Sequence, residues 1–182
     1  MLSWMFGEPA ATANEFPDLP EQGAASTGEL KTRRRQPLAQ RFQCAIWHDG
    51  LFSIPTFFLE SDLCMGGPDF GGAPYPWRQS GDDAATPSAL ELLQKWNPAD
   101  PRRLSNWRRN APPTLVVHSE RDYRCPMTEG LGMFKALQAM GVVSRFVTFP
   151  DECHFVEGKE NTLAWYGEIE GWLARWLRPR RE

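Results

Sequence analysis

No apolar run in the 182-residue sequence approaches the ~20 residues that a membrane-crossing helix needs, so no helical span and no membrane partner is expected. The amino terminus, Met1-Leu-Ser-Trp-Met-Phe-Gly-Glu-Pro, lacks a basic n-region, and Gly7, Glu8 and Pro9 cut short its apolar stretch. That pattern is not a signal peptide, and a cytoplasmic location is the default expectation; secretion is expected if a longer parent chain carries a signal. Charge of one sign is missing too. A net charge of −3 gives no whole-chain attraction to nucleic acid, which is therefore not an expected partner. Cysteine is scarce and unpatterned: Cys44, Cys64, Cys125 and Cys153 show no C-x-x-C spacing. No metal centre and no cofactor is expected, and the thiols read as free and half-buried. What the chain does have is apolar substance. A hydrophobic share of 41% with eight tryptophans marks a folded globule, and the length fits a single domain.

The informative stretch is the carboxyl-terminal one, Pro113 to Glu182. Thr114-Leu-Val-Val117 follows two prolines and is short, apolar and β-rich, the pattern of a buried strand. Arg145-Phe-Val-Thr-Phe149 is a second such run. Between them Thr128 to Met140 has helical periodicity, with Met133, Leu137 and Met140 on one face, Phe134 beside them and Glu129 in the first turn. Gly141 stands where a helix ends. Strand, helix and strand in this space form one crossover unit of a parallel sheet, so the fold class is α/β. In such sheets ligands gather beyond the carboxyl ends of the strands. Asp122 follows the first strand and His154 the second. With the strands adjacent, the two side chains face each other, as the acid and the base of a Ser-Asp-His triad do in α/β-hydrolase chain order. Further strand and helix signals are Phe42–Trp47 and Asn161 to Leu177. The latter carries Trp165, Ile169, Trp172, Leu173, Trp176 and Leu177 on one stripe, which reads as core.

Several motifs in this order carry a family resemblance: Pro113-Thr-Leu-Val-Val-His-Ser-Glu-Arg-Asp-Tyr-Arg-Cys-Pro, Glu129-Gly130, Phe149-Pro-Asp-Glu-Cys-His-Phe and Asn161-Thr-Leu-Ala-Trp-Tyr. With His48-Asp-Gly, Asp69-Phe-Gly-Gly and Trp96-Asn-Pro upstream, they make the chain resemble a prolyl oligopeptidase-family serine peptidase of the dipeptidyl peptidase V type, from about Pro37 onward. The resemblance implies a partial α/β-hydrolase fold, a mostly parallel sheet flanked by helices. It implies a peptide substrate, with Asp122 as the triad acid and His154 as the triad base. Residues 37–182 would then be the carboxyl-terminal portion of a peptidase catalytic domain, and 1–36 an irregular segment.

The nucleophile is the missing part. The only approach to G-x-S-x-G is Ala24-Ala-Ser-Thr-Gly28, which makes Ser26 the one candidate. Its flanks do not suit an elbow. The prolines of Glu15–Gln22 do not fit a central strand, and Gly28-Glu-Leu-Lys-Thr-Arg-Arg-Arg lacks an apolar helical face. Ser26 therefore reads as linker, with a non-catalytic remnant and a small Ser26 esterase as the alternatives to a peptidase. Elsewhere His48-Asp49-Gly50 reads as a turn, and Leu51 to Leu59 as an apolar segment broken by Pro55. Cys64 to Ser80 reads as a long loop with aromatic anchors, Ser88–Glu91 as a capping box, and Arg102 to Arg109 as a solvated connector. Cys153, His154, Asp122 and Glu152 have no converging metal-ligand spacing.

Overall fold

The computed structural model describes residues 42–63, 94–107 and 111–177. Ser26 with all of 1–36, the aromatic loop 64–80 and the capping box 88–91 lie outside the described residues. In chain order the elements are β1 (Ala45–His48), α1 (Ile54–Glu60), α2 (Pro101–Leu104), β2 (Thr114–Ser119), α3 (Met127–Ala139), β3 (Ser144–Phe149) and α4 (Lys159–Trp176). The three strands form one parallel sheet in the order β1-β2-β3. Ala45 lies opposite Thr114, and Ser119 opposite Phe149, so the strands end together on one rim.

All six residues of β2, the middle strand, are buried, the apolar Leu115, Val116 and Val117 together with Thr114, His118 and Ser119. Strand alternation then divides the core in two. Val116 points into one cluster with Ala45, Trp47, Phe52, Trp107, Met133, Leu137 and Val142. Leu115 and Val117 point into the other, with Phe149 and Trp172. Met133 and Leu137 place α3 in the first cluster, and Trp172 places α4 in the second, so the sheet is flanked by helices. The helix α3 stops at Gly141, whose φ of +68° is a left-handed value that costs glycine little.

Four local expectations need correction. The run Arg145–Phe149 is half-buried, with only Phe149 buried, because β3 pairs with β2 alone among the described residues. Pro55 does not break the segment after β1. It occupies the first turn of α1, where its absent N–H has no intrahelical partner to lose. The connector after Asp100 is solvated only in part: Arg102 is exposed, but Trp107 is fully buried against Phe52. The stripe on α4 reaches the core through Trp172, with Trp165, Ile169 and Trp176 packed against it. Leu177 falls beyond the last turn and is half-exposed. No helix among the described residues is long and apolar enough to cross a membrane.

Candidate functional site

The rim of the sheet carries two loops, and backbone hydrogen bonds join them. Glu120 N–H donates to Phe149 O at 3.0 Å, and Arg121 N–H to Glu152 O at 3.1 Å. In the first loop Asp122 turns back on its own backbone. Its Oδ1 accepts from Arg124 N at 2.8 Å and Cys125 N at 2.9 Å. This is the local closure that Asp side chains favour in turns. With Oδ1 occupied, Oδ2 remains, and it lies 2.8 Å from Nδ1 of His154 in the second loop. The Asp122 side chain is 0% exposed and that of His154 is 30% exposed. A carboxylate accepts, so Nδ1 of His154 carries the proton and Nε2 the lone pair. Among the described residues Nε2 accepts no hydrogen bond. The result is an imidazole held in one tautomer with a proton-accepting nitrogen available.

Glu152 holds the second loop. Its Oε1 accepts from Gly158 N at 3.0 Å and Asn161 Nδ2 at 2.6 Å, and its Oε2 from Glu157 N at 3.0 Å. The Asn161 bond, followed by those from the backbone, lowers the Glu152 pKa. One acidic side chain thus ties the residues around His154 to the first turn of α4.

Behind Asp122 lies a group of residues with no evident chemistry in the sequence. His118, in β2, is fully buried and four residues before Asp122. Its Nε2 is 2.7 Å from the carbonyl of Cys125 and 3.7 Å from Oδ2 of Asp122. Its Nδ1 is 3.9 Å from Oδ1 of Asp49 and has no hydrogen-bond partner. The ring stacks on Trp47 at 5.8 Å. Asp49 is buried at the turn after β1, at a left-handed φ of 42°, and its Oδ1 accepts from Ser119 N at 3.1 Å. The turn reading of His48-Asp49-Gly50 therefore stands for the backbone, but the side chain of Asp49 belongs to this buried group. His48 Nε2 approaches Asp49 Oδ2 to 2.8 Å, yet neither atom has a well-aligned hydrogen bond. Asp49, His118 and Asp122 offer one donor atom each within 4.8 Å of one another, a grouping with metal-ligand chemistry. The two carboxylates, however, make their close approaches to opposite nitrogens of the His118 ring. The signal that marks His118 in sequence is its place at the end of a buried strand, where an ionisable residue is out of keeping with its neighbours.

Two further groups define what the site can do. Burial, then the carboxylates of Asp122, Glu129 and Asp49, push the Cys125 thiol up to about 12, so it is not a thiolate nucleophile. Glu129 is buried in the first turn of α3, where Oε2 accepts from Phe52 N and Ser53 N, each at 2.6 Å. Burial raises its pKa. Cys44 and Cys125 are half-buried free thiols, and Cys153, next to His154, is an exposed one. Ser119 Oγ is buried without a partner. The structure thus brings Asp122 and His154 together, and leaves Ser26 outside the described residues.

The model of the prolyl oligopeptidase family matches residues 35–180. A probable dipeptidyl-peptidase 5 of Aspergillus terreus is 36% identical over 139 residues, 76% of this chain and 17% of the relative. The dipeptidyl-peptidase 5 of Aspergillus fumigatus is 34% identical over 140 residues, 77% of this chain and again 17% of the relative. The chain therefore spans about a sixth of the curated relatives that it matches. Among solved structures, uncomplexed Pyrococcus horikoshii acylaminoacyl peptidase superposes with a TM-score of 0.56 at 20% identity, over 78% of this chain and 21% of its own. That likeness is one of fold.

Proposed function

Because the chain belongs to the prolyl oligopeptidase family, we propose that Asp122 and His154 are the acid and the base of a serine-peptidase triad acting on peptides. The observation that carries the reading is the 2.8 Å contact between His154 Nδ1 and Asp122 Oδ2. In this chemistry Nε2 of His154 takes the proton of a serine hydroxyl as that oxygen attacks a peptide carbonyl. The imidazolium then returns the proton to the leaving amine. Asp122 holds the ring and balances its transient charge without itself taking the proton. The relatives named dipeptidyl-peptidase 5 support release of dipeptides as the outcome. The hydroxyl comes from outside the described residues, either Ser26 or a serine beyond this chain.

Two reagents applied to the full chain test the reading. Diethyl pyrocarbonate should modify His154 faster than His118, and Asp122→Asn should slow that reaction, because the free Nε2 lone pair depends on the carboxylate. A fluorophosphonate probe should then locate the serine. Labelling at Ser26 that falls on the order of 10⁴-fold in Asp122→Asn places the nucleophile in this chain. Absent labelling with rapid modification of His154 places it elsewhere. Slow modification of His154, indifferent to Asp122→Asn, would defeat the proposal. A non-catalytic remnant is the second reading, favoured by the unsuitable flanks of Ser26.

A further inference from the structure

Two buried carboxylates, Asp49 and Asp122, stand on either side of one buried imidazole. The triad-type chemistry proposed above makes no use of the imidazole between them. Its geometry gives it one clear donor bond, from Nε2 to the carbonyl of Cys125 at 2.7 Å. Cys125 is also the residue whose N–H donates to Oδ1 of Asp122 at 2.9 Å. The same peptide segment therefore receives a bond from His118 and gives one to Asp122. A carbonyl acceptor requires the proton on Nε2, which turns a donor edge toward the Asp122 side.

We propose that His118 is a positioning residue for the Asp122–His154 pair. It closes the turn 122–125 from below, so that Arg124 and Cys125 N–H groups occupy Oδ1 and leave Oδ2 for His154. Asp49 secures the strand end that carries His118 by accepting from Ser119 N. Trp47, stacked on the ring, and Gly130, whose added Cβ would lie 2.7 Å from the ring, fix its orientation from two sides. The inference rests on the acid–base reading of Asp122 and His154. It adds a residue that touches neither substrate nor His154 yet sets which oxygen of Asp122 faces the imidazole.

The test exploits the shapes of two amides. Gln at 118 presents its Nε2 near the place of the histidine Nε2, whereas Asn presents a donor only near Nδ1. In His118→Asn and His118→Phe, the His154 Nδ1–H resonance should weaken and modification of His154 by diethyl pyrocarbonate should slow by roughly tenfold, the weight of one hydrogen bond. His118→Gln should restore most of both. Near-ultraviolet circular dichroism of the tryptophans checks that each variant is folded. In the wild-type chain, a scalar coupling across the hydrogen bond from His118 Nε2 to the Cys125 carbonyl carbon should be observed, and its absence overturns the proposal without any variant. Equal behaviour of the Asn and Gln variants also overturns it. If Asp122→Asn alters His154 and the His118 variants do not, the positioning role fails while the acid–base reading survives. If Asp122→Asn leaves His154 unchanged, the acid–base reading itself fails.

Discussion

The loops after β2 and β3 meet on one rim, but they are built in opposite ways. The first is anchored from three directions. Asp122 accepts from its own turn, His118 donates from the strand beneath, and the end of α1 grips it from outside through Asp62 N to Tyr123 O at 2.8 Å and Ser61 Oγ to Arg124 O at 2.7 Å. The second is closed on its far side chiefly by one carboxylate, Glu152, with Thr162 Oγ1 donating to Val156 O at 3.2 Å, and leaves His154 partly in solvent. The difference matches what each member of the pair must do. An acid that orients a ring benefits from a dry, immobile setting, where its hydrogen bond is strong. A ring that exchanges protons needs an open edge.

The largest effect should come from removing the anchor of the first loop. Asp122→Ala strips the acceptor from two part-buried N–H groups and from His154, and should cost about 3 kcal/mol of unfolding free energy in urea titrations. Glu152→Ala should cost less than Asp122→Ala. Its signature is local: amide exchange should quicken through 153–158 and stay slow through 120–126. Equal loosening of both loops would erase the contrast.

The pH dependence of two glutamates should separate the regions further, with opposite signs. Hydrogen bonds lower the Glu152 pKa in the folded chain, so its contribution to stability is present above the unfolded carboxyl value of ~4.3 and is lost as pH falls through the folded one. Glu152→Gln should flatten the acid limb of a stability–pH curve. Burial raises the Glu129 pKa, so its contribution is complete below ~4.3 and is lost as pH rises through the folded value. Glu129→Gln should therefore compare best with the wild type at the higher pH. The smallest effect belongs to the most visible link between the loops, the ion pair from Arg121 to Asp151 at 3.0 Å. Both side chains are more than half exposed, and Arg121→Ala should change stability by no more than about 0.5 kcal/mol. The backbone bonds to Phe149 O and Glu152 O hold the loops together instead.

Much of this arrangement was legible in the sequence, and the exceptions share a cause. The run Thr114–Val117, the helix closed by Gly141, and the order Asp122 then His154 express local rules of composition and spacing, and the structure brings them together as those rules require. Trp107 did not reveal itself as core, because its arginine-rich neighbours mask it and only packing against Phe52 buries it. Pro55 was ambiguous because the same residue that breaks a helix interior suits its first turn. The contacts of Asp49 and His118 were hidden for a deeper reason. Their partners are 70 and 7 residues away, and no periodicity encodes a contact between a turn, a strand end and a carbonyl.

Gly130 has a consequence for how sequence change can accumulate here. A methyl group at that position would lie 2.7 Å from the His118 ring, inside the closest approach of non-bonded carbon atoms. Positions 118 and 130 are therefore not free to drift separately. Alanine at 130 should be harmful beside histidine and tolerated beside a smaller residue, a case of epistasis written in a single interatomic distance. A lineage that gave up His118 would open a path to larger residues at 130. Return along that path would then be barred until the glycine was restored first.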